Sequence, residues 1–413
     1  MDVDYADRTR NSRAIYERLL RVFPNGETRA VAWFAPYPVV IDRGKAAHVW
    51  DIDGNEYIDL LNNYTALVHG HANPYITQAL TDAAWTGTVH PAPHRSQLAL
   101  AEHIANRYPG VEQVRFTNSG SEAAILAARL AFRATGRSKL VLIDGGYHGT
   151  GYLFADPNPH VMRVPYNDIE AMREAIDDTT AAVFIEPFLG SAGVIPASET
   201  YLKQVAGAAR RAGALFVLDE IQALRWAFHG ANDLLGLDAD LVLMGKIIGG
   251  GLPVGAVGGR ASILHCISAE TGPSLKHSGT FNGNVATMAA GFASMQLLTN
   301  DAIAQLNNRA SRLIDSVHSA ARASGLTVSL TSAGSIFHVH FLADAPRDAA
   351  QAREGRHELN ERLHRRLLVH GVYTAPRGMA NLSTALTDAD LAKIASAYEE
   401  AFADVADYSN GAG

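Results

Sequence analysis

ALFVLDE (residues 214–220) is a run of five apolar residues that ends in two acids, and DLVLMGK (240–246) is a similar run that ends in a lysine. Short apolar runs without polar alternation are typical of strands buried on both faces of a sheet. Further strands of this kind are KLVLID (139–144), AAVFIEP (181–187) and VRFTN (114–118). Helical patterns separate these runs. The sequence therefore predicts an α/β fold, in which helices cover both faces of a mostly parallel sheet.

The pattern of the 413 residues changes twice along the chain. Residues 1–70 combine a helix at 11–23 with a small antiparallel sheet, whereas residues 71–298 carry the alternating helices and strands. Residues 299–413 return to a mixed pattern of helices and strands. We predict that 71–298 form a large ligand-binding domain, and that the N-terminal and C-terminal segments together form a smaller α+β domain.

Composition and charge exclude several classes of protein. Lys and Arg number 35 against 42 Asp and Glu, a net charge of −7, which argues against nucleic-acid binding because such modules usually carry a positive excess. The single cysteine, Cys266, excludes a disulfide framework and a Cys-rich zinc module. The polar start, Met1 to Arg13, resembles no signal peptide, and no apolar run reaches the roughly 18 residues of a membrane span. We expect a cytoplasmic protein with small-molecule partners and no membrane contact.

Lys246 is the most informative of the six lysines. It ends a buried strand and precedes IIGGGLPVG (247–255), a glycine-rich stretch that lets a ligand approach the backbone closely. In open α/β sheets, ligands bind beyond the carboxyl ends of the strands. A partly desolvated lysine at that place can lose its proton near neutral pH and act as a Schiff-base nucleophile. The alternative is an ordinary strand-end lysine that extends to water.

Strand-end acids form the second candidate feature. Asp219 and Glu220 end ALFVLDE, and Asp219 lies 27 residues before Lys246. A buried carboxylate is costly unless it meets a cation, and a protonated pyridine nitrogen is one such cation. An ion pair between Asp219 and an arginine is the alternative. Glu186 ends AAVFIEP in the same layer, where it could act in the site, cap a helix or form a structural ion pair.

NSGSEA (118–123) follows a strand and begins a helix, so its backbone amides are predicted to point towards an anion. Gly120 allows close approach, and Ser119 and Ser121 add hydroxyl groups. An ordinary serine N-cap is the alternative. The P-loop pattern GxxxxGK[ST] does not occur, so a P-loop nucleotide site is not supported.

GGYHG (145–149) ends another strand at the same edge. Tyr147 could stack on a flat ring there. His148 could contact the same ligand, or it could be a hydrogen-bonded loop residue.

No metal site is expected. DIDG (51–54) resembles the start of a calcium loop, but Glu56 stands where that loop needs glycine and Asn62 where it needs glutamate. His69 and His71 have no third ligand at a suitable spacing. A hairpin turn and loop histidines explain these stretches.

Taken together, these segments resemble the class III aminotransferases of fold type I, which depend on pyridoxal 5′-phosphate (PLP). The resemblance follows the family's order through NSGSEA, GGYHG, FIEP, VLDEIQ, LVLMGKIIGGGLPVGAVGGR and HSGTFNGNVATMAAG. Within the family, the chain is most similar to the glutamate-1-semialdehyde aminomutase-like subgroup, and there to the β-phenylalanine aminotransferases. The segments that carry this closer resemblance are WFAPYPVVI, Trp50-Asp51, PSLKHSGTFN (273–282), YTAPRG and LTDADL.

The resemblance implies a role for each candidate residue. Lys246 would form the internal aldimine, and Asp219 would contact the pyridine nitrogen. The phosphate would be held at the start of the helix, and the ring would be contacted from several sides. The residues expected to bind the cofactor besides Lys246 and Asp219 are Ser119, Gly120, Ser121, Tyr147, His148, Glu186, Gln222 and Thr280.

Two of these residues carry further implications. Gln222 stands where some relatives have methionine, and its amide would touch the ring hydroxyl. Thr280 would reach the phosphate bound by a neighbouring subunit, which implies a homodimer with shared active sites.

The implied reaction moves an amino group between a β-amino acid, or a related amino-carbonyl donor, and a 2-oxo acid acceptor. Arg29, Arg377 and Arg225 are the candidates for binding substrate carboxylates, because arginine offers a bidentate fork. Each could instead be a surface residue, and Arg225 could pack with Trp226. Alternative functions are an aminomutase that transfers the amino group within one molecule, a biosynthetic transaminase for amines or ketones, and a non-enzymatic α/β binding protein.

Overall fold

The computed structural model describes residues 3–155, 157–198, 200–268 and 274–411. Pro273, the first residue of the PSLKHSGTFN segment, lies outside the described residues. Backbone contacts divide the chain into two units. The first unit comprises Met1–Asn73, Leu306–Pro346 and Arg353–Gly413, and the second comprises Pro74–Gln305 and Arg347–Ala352. The sequence pattern predicted domain boundaries after residues 70 and 298. It did not indicate that residues 347–352 belong to the second unit.

The strands of the described residues are β1 (Ile41–Lys45), β2 (His48–Asp51), β3 (Glu56–Asp59), β4 (Gln113–Thr117), β5 (Lys139–Ile143), β6 (Val161–Val164), β7 (Thr180–Ile185), β8 (Phe188–Leu189), β9 (Ile195–Pro196), β10 (Leu215–Asp219), β11 (Leu241–Gly245), β12 (Gly255–Gly259), β13 (Ser329–Ala333), β14 (Ile336–His340), β15 (Val372–Tyr373) and β16 (Met379–Asn381).

The helices are α1 (Val3–Arg8), α2 (Arg10–Leu19), α3 (Asn62–Thr65), α4 (Pro74–Thr86), α5 (Arg95–Arg107), α6 (Gly120–Thr135), α7 (Ile169–Ala175), α8 (Tyr201–Ala212), α9 (Gly230–Leu234), α10 (Ala261–Leu264), α11 (Val285–Leu297), α12 (Asn300–Ala323), α13 (Ala349–Arg353), α14 (His357–Val369) and α15 (Asp388–Gly411).

The second unit is built on a seven-stranded sheet with the order β4-β12-β11-β10-β7-β5-β6. Strands β6, β5, β7, β10 and β11 run parallel, and β12 runs antiparallel to both of its neighbours, β11 and β4. The prediction of a mostly parallel sheet is therefore confirmed. The central strands are buried almost throughout, as their uninterrupted apolar sequences predicted. Their carboxyl ends meet at one edge of the sheet.

The sequence pattern did not indicate β12, because its sequence GAVGG lacks the large apolar residues typical of strands. Its glycines are required by close packing. A Cβ atom at Gly255 would lie 2.0 Å from the carbonyl oxygen of Ser119, and one at Gly258 would lie 2.4 Å from Cε of Met244. Glycine thus lets this strand lie directly against the segment that begins α6.

Helix α6 begins where the sequence predicted. The Ser119 hydroxyl accepts a hydrogen bond from the Glu122 amide at 3.2 Å, and Gly136 closes the helix with a φ of 69°. Its apolar side lies in a core formed with the strands, which includes Leu126, Leu130 and Phe184. The first turn of α6 is therefore fixed at the carboxyl edge of the sheet.

The first unit has two small sheets. One has the order β1-β2-β3-β15, with the predicted antiparallel arrangement for β1 to β3, and the other has the order β13-β14-β16. The predicted helix at 11–23 is the shorter α2, and the mixed pattern predicted for residues 299–413 consists of helices α12 to α15 and strands β13 to β16. Element α3 is a left-handed turn, since all four of its residues have φ between 46° and 73°. None of the described helices is long and apolar enough to cross a membrane.

Replacing Gly255 with alanine tests the close packing of β12. We expect Gly255→Ala to lower the free energy of unfolding by about 2–3 kcal/mol, because the added methyl group overlaps the Ser119 carbonyl oxygen. Gly136→Ala is the control: nothing lies within 4 Å of its Cβ position, so only the left-handed backbone costs energy, roughly 1–2 kcal/mol. Urea unfolding of both variants measures the difference. A loss for Gly255→Ala no larger than that for Gly136→Ala would contradict the packing.

Candidate functional site

Three charged side chains lie where the parallel strands of the second unit end. Glu186 follows β7, Asp219 ends β10, and Lys246 follows β11. These strands are adjacent in the sheet, so the three residues meet at one edge. Both acids are 4% exposed. The structure thus brings together the acids and the lysine that the sequence singled out.

Asp219 is held by two hydrogen bonds. Its Oδ2 lies 2.8 Å from Nδ1 of His148, and its Oδ1 accepts the amide hydrogen of Ile221 at 3.0 Å. His148 is itself buried and packs against the rings of Phe154 and Phe184. The Nε2 atom of His148 has no hydrogen-bond partner among the described residues. His148 therefore fixes the orientation of the Asp219 carboxylate.

Lys246 has a left-handed backbone conformation and an amine whose pKa is lowered. Its φ of 51° lies in the left-handed region, which costs a residue other than glycine roughly 1–2 kcal/mol. Such strain persists only where the surroundings hold the residue in place. Burial of the amine lowers the pKa of Lys246 to about 8, although the carboxylates of Asp219 and Glu186 raise that pKa. The amine is thus partly neutral near physiological pH and can act as a nucleophile or a base.

Glu186 fixes the loop that carries Tyr147. Its carboxylate accepts the amide hydrogens of Tyr147 at 3.0 Å and of Gly190 at 3.3 Å. Burial and the neighbouring Asp219 raise the pKa of Glu186 to about 7, whereas His148 lowers it. The side chain of Tyr147 itself is half-exposed. The Glu186 carboxylate thus binds backbone amide groups of the two neighbouring loops.

The start of α6 lies against two neighbouring segments. A Cβ atom at Gly149 would lie 2.2 Å from Oγ of Ser121, and one at Gly120 would lie 2.5 Å from Cδ1 of Ile221. The GGYHG loop, the first turn of α6 and the residues after Asp219 are therefore in mutual contact. Ser119 caps the helix, and the amide groups of its first turn offer hydrogen-bond donors to an anion.

Gln222 and Thr280 have different environments. A Cβ atom at Gly190 would lie 2.3 Å from Nε2 of Gln222, so this amide lies at the loop that Glu186 binds. Thr280 is exposed, as is its neighbour Phe281, and the segment precedes α11. The Thr280 side chain is accessible to a second molecule.

The three candidate arginines differ in burial. Arg225 is 1% exposed, so the surface alternative is wrong for this residue, and burial lowers its pKa to about 9. Its neighbour Trp226 packs against Phe188, with ring centroids 5.8 Å apart. Arg29 and Arg377, by contrast, are exposed residues of the first unit.

Tyr64 links Arg29 and Arg377 electrostatically. Burial raises the pKa of the Tyr64 hydroxyl, and the positive charges of both arginines lower it. The Tyr64 hydroxyl donates to the carbonyl oxygen of Val31, and Asn63 accepts a hydrogen bond from Arg29. A cavity of about 390 Å³ in this unit is lined in part by Val31 and Arg377. Asn63 and Tyr64 were not predicted from the sequence. The available signal was the asparagine pair in NNYT, because asparagine tolerates a left-handed backbone.

Glu220, the second acid of ALFVLDE, has a structural role. Its carboxylate accepts the amide hydrogens of Ala231 at 2.6 Å and Asn232 at 2.9 Å, which caps α9. Burial raises the pKa of Glu220 to about 7. Adjacent acids in the sequence thus serve different purposes, because successive side chains point in opposite directions at the strand end. Among the described residues, no group of three or more His, Cys, Asp or Glu side chains is arranged to hold a metal ion.

Comparison with known proteins identifies similar sequences and structures over almost the whole chain. The family model for class III aminotransferases matches residues 31–401. The chain is 38% identical to a β-phenylalanine transaminase from Variovorax paradoxus, over 94% of this chain and 91% of the relative. It is 34% identical to a glutamate-1-semialdehyde 2,1-aminomutase from Geobacillus kaustophilus, over 95% of this chain and 98% of the relative.

Solved structures give the same result. The crystal structure of a β-phenylalanine aminotransferase from Variovorax paradoxus superposes with a TM-score of 0.92 and 37% identity, covering 96% of this chain and 95% of that one. A transaminase with PLP bound superposes with a TM-score of 0.90 and 32% identity, covering 97% and 99%.

The residues at the sheet edge fit PLP chemically. The cofactor's aldehyde needs an amine, its pyridinium needs a carboxylate, and its phosphate needs an anion site. Lys246 and Asp219 offer the first two, and the start of α6 offers the third. Gly149 and Gly120 keep that helix start free of the side-chain atoms that would crowd it. The donor set therefore matches the aldehyde, the ring nitrogen and the phosphate of the cofactor.

The pKa of Lys246 can be measured directly. In the cofactor-free protein, we expect its amine to titrate near pH 8 instead of 10.5, with the ammonium form below that pH and the neutral amine above it. Because the Asp219 carboxylate raises this pKa, Asp219→Asn should lower the midpoint further. Reductive methylation with ¹³C-formaldehyde labels the six lysines for NMR titration, and the spectrum of Lys246→Arg identifies the Lys246 signal. A wild-type midpoint near 10.5, or an upward shift in Asp219→Asn, would contradict the geometry.

Proposed function

The chain belongs to the class III aminotransferases, PLP-dependent transaminases, and on that premise we propose that it moves an amino group between a β-amino acid, or a related amino-carbonyl donor, and a 2-oxo acid. The 38% identity to a β-phenylalanine transaminase supports this class of donor. The observation that carries the chemistry is the buried cluster at the sheet edge, where the Lys246 amine lies in the field of an Asp219 carboxylate held by His148.

Asp219 and Lys246 are proposed to act at opposite ends of the cofactor ring. The carboxylate of Asp219 keeps a proton on the ring nitrogen, because an adjacent anion favours the charged form of a base. Nζ of Lys246 would hold the cofactor through its aldehyde carbon, with loss of the aldehyde oxygen as water. When bound, PLP supplies an electron sink for the negative charge that remains on a carbon after it loses a proton.

Lys246 is also proposed as the group that moves the proton. Nζ of Lys246 would act as the base that accepts the proton from the amine-bearing carbon of the donor, and then as the acid that gives this proton back. A base is most efficient when its pKa lies near the working pH, and burial brings the pKa of Lys246 to about 8.

The residues proposed for the remaining cofactor contacts lie at the same carboxyl edge of the sheet. We assign the phosphate to the amides and hydroxyls of Ser119, Gly120 and Ser121, where the helix dipole favours an anion. Tyr147 would cover the ring from the loop that Glu186 holds, and the amide of Gln222 would touch the ring hydroxyl. His148 would act through Asp219.

A homodimer with shared sites is part of the proposal. Thr280 is exposed and would donate to the phosphate bound by a second copy of the chain. Large apolar side chains of the second unit are also exposed, namely Trp85, Leu98 and Phe281 at 87%, 58% and 60%. Exposed apolar side chains on this scale support an interface with another protein chain.

Arg29 and Arg377 are proposed to bind substrate carboxylates. Both are exposed, and both lie near Tyr64 in the first unit. Each offers a planar fork that matches a carboxylate. Arg225, proposed from the sequence for the same role, is fully buried and lowers the pKa of Lys246, so its contribution would be to the field around that amine.

The second candidate function is an aminomutase, which the 34% identity to a glutamate-1-semialdehyde 2,1-aminomutase supports. An aminomutase converts one substrate without a separate oxo-acid acceptor. Incubation of the holoenzyme with a β-amino acid, with and without a 2-oxo acid, distinguishes the two. Under our proposal a β-amino acid alone bleaches the visible band of the bound cofactor, and a 2-oxo acid restores it.

Lys246→Ala should lower kcat at least about a thousandfold, because it removes both the nucleophile and the base. Borohydride reduction of the wild-type holoenzyme should attach the cofactor to the peptide that contains Lys246, as mass spectrometry can show. Lys203→Ala, which alters an exposed lysine of α8, is the control and should retain both properties. Trapping on another lysine, or appreciable multiple turnover by Lys246→Ala, would exclude the assigned role.

Arg29→Ala and Arg377→Ala should each raise KM for a carboxylate-bearing donor by about 10- to 100-fold, since each loses a charge-assisted hydrogen-bond pair. KM for a simple amine donor should stay within about twofold, because that donor has no carboxylate. Arg10→Ala, in an exposed arginine of α2, serves as the control. Equal changes for both classes of donor would rule out carboxylate binding by these residues.

A further inference from the structure

The turn Asn62–Thr65 of the first unit has a backbone that its residue types disfavour. Four successive residues have φ values of 46°, 49°, 56° and 73°, and none of them is glycine although the chain contains 36 glycines. A left-handed conformation costs L-residues roughly 1–2 kcal/mol each, somewhat less for asparagine. Two buried side-chain oxygens, Oδ1 of Asn62 and Oγ1 of Thr65, also find no hydrogen-bond partner among the described residues. The turn is therefore strained, and its surroundings must hold it.

A buried hydrogen-bond network holds the start of the turn. The Asp59 carboxylate accepts the amide hydrogens of Leu61 at 2.7 Å and Asn62 at 2.9 Å. The Asn62 side chain donates to the carbonyl oxygen of Asn381 at 2.8 Å, and the Asn381 side chain donates to the carbonyl oxygen of Leu61 at 2.7 Å. Both asparagines are fully buried. At about 1 kcal/mol each, these bonds offset strain of several kcal/mol.

The strained turn presents its next two side chains to the N-terminal segment. Oδ1 of Asn63 accepts a hydrogen bond from Nη1 of Arg29, and the Tyr64 hydroxyl donates to the carbonyl oxygen of Val31. Arg29 is thus held by the side chain of a residue whose own backbone cannot relax without breaking the buried network.

The chemistry of the acceptor matters as much as its position. Asn63 offers a neutral amide oxygen, so it orients the guanidinium without cancelling its charge. Among the described residues, no carboxylate forms an ion pair with the Arg29 guanidinium; Glu27 accepts the backbone amide of Arg29 instead. A held cation without an internal counter-ion is suited to bind an external anion.

We propose that Asn63 is a positioning residue, which holds the Arg29 guanidinium in the orientation that receives the donor's carboxylate. The left-handed turn serves to place Asn63 there. This inference rests on the proposed function, in which Arg29 binds that carboxylate.

The test compares Asn63→Gly and Asn63→Asp in the holoenzyme. Glycine removes the acceptor and suits the left-handed backbone, whereas aspartate keeps the shape of asparagine and adds a negative charge beside Arg29. The probe is 3-phenylpropanoate, a carboxylate without an amine, and its Kd is measured by calorimetry. We expect Kd to rise about tenfold in Asn63→Gly and by more in Asn63→Asp, because an internal carboxylate competes with the probe.

Ala72→Gly is the matched control, because Ala72 also has a left-handed φ, 47°, and is exposed. It should leave Kd unchanged. The melting temperatures of Asn63→Gly and Ala72→Gly should both stay within about 3 °C of the wild type, so that any loss of binding is not a loss of fold. KM for a simple amine donor should not change in any of these variants.

Arg29→Ala distinguishes a failure of the positioning role of Asn63 from a failure of the proposed carboxylate site at Arg29. If Arg29→Ala weakens probe binding but Asn63→Gly and Asn63→Asp do not, the positioning role of Asn63 is wrong and the proposed function stands. If Arg29→Ala leaves Kd unchanged, both the carboxylate site and the role of Asn63 are overturned. Tighter probe binding in Asn63→Asp would also contradict the charge argument.

Discussion

A carboxylate that is buried at the end of a central strand is the constraint on which the rest of the site depends. Asp219 is 4% exposed, and its two oxygens are held by His148 and by the Ile221 amide. Such a group costs several kcal/mol unless a cation or strong donors face it. The neighbouring Lys246 amine is itself partly neutral, since burial lowers its pKa to about 8. In the proposed function, the positively charged ring nitrogen of PLP would face this carboxylate and offset part of the cost of its burial.

Left-handed backbone without glycine occurs at two places for which we propose ligand-binding roles. Lys246 in the second unit and the turn Asn62–Thr65 in the first both adopt left-handed backbone without glycine. Glycine would relieve the strain at each position, but it would remove the amine in one case and the Arg29 contact in the other. Retaining these side chains at an energetic cost is what a functional role predicts, because rigid surroundings then fix the reacting group.

The sequence predicted the parts of the structure that depend on local pattern. The strands ending in Asp219 and Lys246 were evident because burial on both faces requires an uninterrupted apolar run. Strand β12 was missed because the close contact that requires glycine at position 255 is with Ser119, which is distant in the sequence. Likewise, nothing local shows that Glu220 caps α9 while Asp219 faces the site, or that Asn62 is anchored by Asn381, since these contacts join segments far apart in the chain.

The role of Asp219 can be measured through the protonation state of the bound cofactor. PLP labelled with ¹⁵N in the ring can be bound to the wild-type protein and to Asp219→Asn, and its chemical shift reports whether the ring nitrogen carries a proton. In the wild-type protein, we expect a protonated nitrogen throughout the range from about pH 6 to 9, because the adjacent carboxylate stabilises the cation. Asp219→Asn should lose that proton within the same range. An unprotonated ring nitrogen in the wild-type protein, or an identical titration in both proteins, would exclude this role of Asp219.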